Sequence, residues 1–111
     1  MMRKLISWLI AVCLMAALIP ATAFAAETGS CGENATWTLD GSTLTISGTG
    51  STEDYEIGDV PWYSKRTAVK TIVVEEGITR LGANIFAYTT NATRAELPST
   101  LKEIGREAFT A

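Results

Sequence analysis

Between Glu53 and Asp59 four carboxylates fall close together: Glu53, Asp54, Glu56 and Asp59. Side-chain oxygens at that density can hold Ca²⁺, and a pair such as Asp54 and Asp59 can work a glycosidic bond as acid and base. The stretch has neither the ordered D-x-D-x-D-G spacing of a calcium loop nor its closing bidentate Glu, so a solvated acidic loop is the simpler reading. Glycoside hydrolysis would also need a cleft. The chain contains no histidine, which removes the usual general base and the commonest metal ligand. There is no G-x-S-x-G elbow, phosphate loop or dinucleotide fingerprint, and Gly48-Thr49-Gly50 has no third glycine in register. These absences predict a protein that is not an enzyme, with no catalytic residues, no cofactor and no metal site.

Binding chemistry has better candidates. Tyr55, Trp62 and Tyr63 could form a platform for a sugar or a peptide, although aromatics in such positions more often cover a core. Lys70, Thr71 and Val73, together with Thr93, Arg94 and Glu96, are expected to line one exposed sheet and form the partner-binding face. Asn34-Ala35-Thr36 and Asn91-Ala92-Thr93 fit the glycosylation sequon, which matters only in a eukaryotic host.

The elements that must position those residues follow from periodicity. Thr36-Trp37-Thr38-Leu39 and Thr43-Leu44-Thr45-Ile46 alternate polar and apolar residues, as half-buried strands do. Asp40-Gly41-Ser42 between them supplies turn chemistry, which predicts a β-hairpin with Trp37, Leu39, Leu44 and Ile46 on one face. Residues 52–64 read as an irregular connection, with Trp62 and Tyr63 lying across the open end of the first repeat coil.

From Val69 onward the pattern repeats at an offset of 23: Val74, Ile78, Leu81, Gly82, Ile85 and Phe86 return as Leu97, Leu101, Ile104, Gly105, Ala108 and Phe109. Only the glycine and phenylalanine pairs are identical. A fixed offset of this size predicts a β-rich solenoid of short coils, each burying its apolar side against its neighbours. Val69, Ile72 and Val74 should point inward from a short parallel strand, and Ile85-Phe86 should close the coil from a short helical or 3₁₀ turn. The second copy is weaker, with Ala92 and Ala95 where larger apolar groups would be expected. Solenoids generally need three or more units and a polar cap. The absence of both predicts a truncated repeat region, and possible self-association through the uncapped last repeat.

Residues 1–25 read as a signal peptide: Arg3 and Lys4, an apolar run from Leu5 to Ile19, Pro20, then Ala23-Phe24-Ala25 for cleavage. The run is shorter than the roughly 20 residues of a spanning helix. The leader carries two of the nine basic residues and none of the twelve acidic ones. The remainder therefore holds seven bases against twelve acids, a net charge of −5, which gives no electrostatic reason to bind nucleic acid or anionic lipid. Membrane contact is expected only through the export signal. Cys31 alone survives cleavage, so no intrachain disulfide forms, and export without one fits a bacterial product. The expected organisation is a signal peptide (1–25), a β-hairpin cap with its acidic and aromatic loop (26–68), and two leucine-rich repeats (69–111).

Two stretches together resemble the BspA-like leucine-rich repeat surface proteins of bacteria. One is the repeat itself, with Leu97-Pro98-Ser99-Thr100-Leu101-Lys102-Glu103-Ile104-Gly105-Arg106-Glu107-Ala108-Phe109 matching an I-P-x-x-V-x-x-I-G-x-x-A-F pattern. The other is the preceding segment with Cys31-Gly32, Trp37-Thr38-Leu39, Leu44 to Gly50 and Pro61-Trp62-Tyr63. The chain departs from the pattern at Thr89, where that family has Cys, and at Ala92 and Ala95. Gly77 and Thr100 stand where the commonest leucine-rich repeats carry an Asn ladder. The resemblance implies a secreted or cell-surface protein that adheres to or recognises an extracellular protein or glycan. The alternatives are an accessory domain of a longer secreted enzyme, or a degenerate remnant.

Overall fold

The structure, a computed structural model, describes residues 26–110, so the leader reading and its cleavage site lie outside the described residues. Among the described residues eight strands form two sheets. The first three, β1 (Glu27–Ser30), β2 (Ala35–Asp40) and β3 (Thr43–Gly48), make an antiparallel meander. Strand β4 is Gly50–Ser51, and a 3₁₀ segment spans Tyr63–Ala68. Then come β5 (Thr71–Val74), β6 (Ile78–Leu81), β7 (Arg94–Glu96) and β8 (Glu103–Ile104). The larger sheet runs β1-β2-β3-β5-β7 and the smaller β4-β6-β8. Among the described residues no helix is long and apolar enough to cross a membrane.

The hairpin forms as its alternation requires. Trp37, Leu39, Leu44 and Ile46 are buried, while Thr36 and Asp40 face solvent. Strand β3 then pairs in parallel with β5, Thr43 opposite Thr71 and Ile46 opposite Val74. The parallel ladders thus start a unit earlier than residue 69, on the hairpin itself, and no break in the sheet separates 26–68 from 69–110. The β3–β5 offset is 28. Both β5–β7 and β6–β8 pair at the 23-residue offset that the side-chain pattern predicts, with Thr71 opposite Arg94 and Arg80 opposite Glu103. The longer connection ahead of β5 absorbs the difference in the acidic loop and the 3₁₀ segment.

Glycine recurs at 82 and 105 because the neighbouring backbone comes too close for a side chain. A Cβ on Gly82 would sit 1.7 Å from the Glu53 carbonyl oxygen, and one on Gly105 would sit 2.7 Å from the Ala83 nitrogen.

Two expectations change. Ile85 and Phe86 lie in a run of turns rather than a helical segment. Asn84 and Tyr88 both take a φ of 60°, in the left-handed region, which a right-handed helical turn cannot contain. Trp62 does not cover an open end, because the hairpin already occupies that side. Its ring is buried 5.5 Å from Trp37 and 6.2 Å from Phe86, with Phe109 5.1 Å beyond Phe86. Four aromatic rings therefore run as one column through successive units. Their offset or tilted contacts add roughly 0.5–1.5 kcal/mol per pair beyond burial.

Candidate functional site

The outward face of the larger sheet is built by strand alternation. Ile72 and Val74 point into the core, which turns Thr71 and Val73 outward; parallel pairing sets Arg94 beside Thr71 and Glu96 beside Val73. Lys70 and Thr93 precede these strands and are joined by the Thr93 amide donating to the Lys70 carbonyl at 2.9 Å. Four of the six residues expected on the face therefore come together as two cross-strand pairs, and Lys70 and Thr93 adjoin them just ahead of the strands, with Thr71 and Val73 half-buried and the others exposed.

The face is also larger than its repeat strands. Thr43 and Thr45 of β3 lie opposite Thr71 and Val73, and Thr38 and Thr36 of β2 lie opposite Thr45 and Ser47. A row of hydroxyls on the hairpin thus continues into a row of charges on β7. The signal for those threonines was their alternation with Trp37, Leu39, Leu44 and Ile46. What sequence reading missed was the parallel docking of β3, whose offset departs from the repeat period. Arg94 and Glu96 form an ion pair at 3.1 Å, and both side chains are more than half exposed. Such a pair adds little stability and leaves both charges available.

The acidic loop is used differently. Asp54 accepts from the Ala83 amide at 2.8 Å and from Arg80 at 2.9 Å. The amide hydrogen bond first, and then the guanidinium, hold its carboxyl below the usual range. Arg80 also donates to Glu103 at 3.1 Å, so one guanidinium joins three consecutive units. Beside it an open groove of about 680 Å³ is lined by Tyr55, Asn84, Arg106 and Glu107 among others. The Asn84 amide donates to the Tyr55 carbonyl at 2.8 Å, and Asp54 and Arg80 are committed to each other. These groups serve as inter-unit ties. Among the described residues no three His, Cys, Asp or Glu side chains cluster as a metal site would require.

Tyr55 and Tyr63 are half-buried against the core, and the Arg66 guanidinium stacks over the Tyr63 ring at 4.1 Å. Cys31 is fully buried. Desolvation, with Glu53 nearby, pushes its thiol up to about 12, which keeps it protonated and unreactive in the folded chain.

At the position of an Asn ladder, Thr100 does equivalent work. Its hydroxyl accepts from the Gly77 amide at 3.0 Å and donates to the Ile78 carbonyl at 2.8 Å. Thr52 makes a similar tie between the preceding units, accepting from the Gly82 amide at 2.7 Å.

No protein-family model matches the chain, and no curated protein matches it. Among solved structures it is similar to a leucine-rich repeat protein from Eubacterium ventriosum ATCC 27560, with a TM-score of 0.74 and 36% identity. The likeness covers 77% of this chain and 23% of that one, so the chain spans about a quarter of its neighbour's length. The neighbour supports a protein of leucine-rich-repeat type.

Proposed function

We propose that the chain is an exported, non-catalytic leucine-rich repeat module of the BspA-like kind. The described strands would form the opening coils of a solenoid capped by the hairpin. It binds an extracellular protein or glycan through the outer face of the larger sheet, at the cell surface or after secretion. The membrane is involved only through the leader, and nucleic acid is not a partner.

The observation that carries the reading is the common 23-residue register of two separate parallel ladders, β5–β7 and β6–β8. Units that repeat in register present a continuous outer surface, and repeat proteins use such surfaces for partners. The face combines hydroxyls, one apolar side chain and a charge pair, chemistry suited to hydrogen-bonded recognition rather than to a reaction.

The test uses the exported chain on arrays of extracellular-matrix proteins and of glycans. Binding to a defined array member should be lost in Val73→Arg and in Thr45→Arg, which place a bulky cation at the centre of the face. Because both positions are partly exposed, the variants should keep the parent's circular dichroism. Failure to bind any array member, or binding indifferent to both substitutions, would overturn the reading.

A further inference from the structure

The flank that carries β7 and β8 holds three of the four large apolar residues exposed among the described residues, the fourth being Ile57. Leu97, Ile104 and Phe109 are large apolar residues exposed there together. Beside them Ala92 and Ala95 leave a hollow of about 320 Å³ against Phe109. Strand β7 is also an edge of the larger sheet. Its Thr93 amide is turned back to the Lys70 carbonyl. Thr71 and Glu75 donate back to the Ser42 and Ile46 carbonyls, which turns Ile72 towards β7; in the parallel register Ile72 then bonds the neighbours of Ala95, leaving the amide and carbonyl of Ala95 on the open side. A free edge of this kind is a template for a further strand.

We propose that two copies of this chain associate by antiparallel pairing of β7 about a two-fold axis at Ala95. In that register Arg94 of one copy lies opposite Glu96 of the other, and Glu96 opposite the other's Arg94. On the axis the two Ala95 residues, whose backbone groups point outward, can exchange two backbone hydrogen bonds, and the Arg94–Glu96 pairs on either side are the closer, non-hydrogen-bonded ones. The sequence Arg94-Ala95-Glu96 is thus complementary to itself in charge only when reversed. Opposite charges directly across an antiparallel pair are favourable, and like charges are not.

The same axis sets the apolar flank of one copy against that of the other. A head-to-tail arrangement would instead place Leu97 and Phe109 against the front of the molecule. There Glu27, Thr28, Ser30, Glu33 and Asn34 are exposed, and the edge beside β4 is already covered by hydrogen bonds from Thr49 to Asn34 and from Glu53 to Cys31. An isologous contact closes at two copies, whereas the head-to-tail one would grow into a filament. The backbone pairing uses only this edge, while the Arg94 and Glu96 side chains also belong to the sheet face, so ligand binding is measured on the parent chain.

Sedimentation equilibrium of the exported chain tests it, with array binding measured separately so that failure of one reading is distinguishable from failure of the other. The parent should be a concentration-dependent dimer. Arg94→Glu sets like charges across both pairs and should weaken association about tenfold, which corresponds to roughly 1.4 kcal/mol. The exchanged double variant R94E/E96R should restore parental association, since each new charge again meets its opposite. A monomer at all soluble concentrations, as when a further repeat of a longer chain is the true occupant, would overturn the proposal. So would open-ended polymers, indifference to R94E, or failure of the double variant to recover.

Discussion

Phe86 and Phe109 hold the same position in consecutive units, yet Phe86 is 1% exposed and Phe109 41%. The contrast extends along the pattern. Leu81 is 0% exposed against 49% for Ile104, and Val74 is 3% against 45% for Leu97. The backbone path is shared, so side-chain chemistry does not explain the difference. The earlier unit is flanked on both sides, by the hairpin strand β3 and by β7, while the later one is flanked on one. Position in a repeat is therefore fixed by the pattern, and energetic weight by the number of neighbours. That is the behaviour expected where stability sums over units and their nearest-neighbour interfaces.

The sharpest way to break this comparison is to remove the two rings. Phe86→Ala empties a site within the aromatic column and should cost about 3–5 kcal/mol. Phe109→Ala removes a ring that is already well exposed and should cost less than about 1.5 kcal/mol. Urea unfolding at dilution, where the chain is monomeric, reads both. Equal losses would mean that the last unit contributes as much packing as its predecessor, contrary to its exposure.

The next effect is smaller and concerns the threonine ties. Thr52→Val leaves the Gly82 amide buried without its acceptor and should cost about 1–3 kcal/mol. Thr100→Val removes the hydroxyl between Gly77 and Ile78, but that site is only half-buried and water can replace part of the loss. A cost of about 0.5–1.5 kcal/mol is expected. Denaturant midpoints measured on the same day suffice to compare them. A larger loss at Thr100 than at Thr52 would reverse the ranking of the two interfaces.

What was legible in the sequence divides along the same line. The hairpin was legible because its apolar residues alternate, and the later register because Gly and Phe return at a fixed spacing. The cross-strand placement of Thr71 and Val73 beside Arg94 and Glu96 follows from those two periods, whereas Lys70 and Thr93 precede the strands. The docking of β3 on β5 was hidden because the acidic loop and the 3₁₀ segment lengthen that connection and take the pair out of period. The threonine rows on the hairpin were hidden with it. Trp62 carries no periodic signal, since its ring enters the column from a loop. The turns at 83–88 resemble a short helical segment in sequence because left-handed φ at Asn84 and Tyr88 leaves no mark in hydrophobic spacing. The 23-residue offset told which residues correspond, but it could not tell which of them would be covered.

The mildest perturbation, acid, should separate the two units without any substitution. Glu76 accepts from the Ser99 amide at 2.9 Å and from its hydroxyl at 2.8 Å, tying the later unit to the earlier one. Those hydrogen bonds, the amide first, hold its carboxyl below the usual range, as the Ala83 amide and Arg80 do for Asp54 one interface earlier. A depressed folded-state pKa contributes stability that is present above the unfolded carboxylate value, near 4, and is lost as pH falls through the lower folded value. Both carboxylates are exposed, so the effect is a loosening rather than global unfolding. The Ser99 tie belongs to the unit with the less buried packing, so its amide should lose hydrogen-exchange protection at a higher pH than that of Ala83. Glu76→Gln keeps an acceptor oxygen while removing the titration, and should make Ser99 protection independent of pH in this window once intrinsic exchange is corrected for. If Ala83 opened first, or if Ser99 kept its pH dependence in the variant, the carboxylate would not be what fastens the last unit.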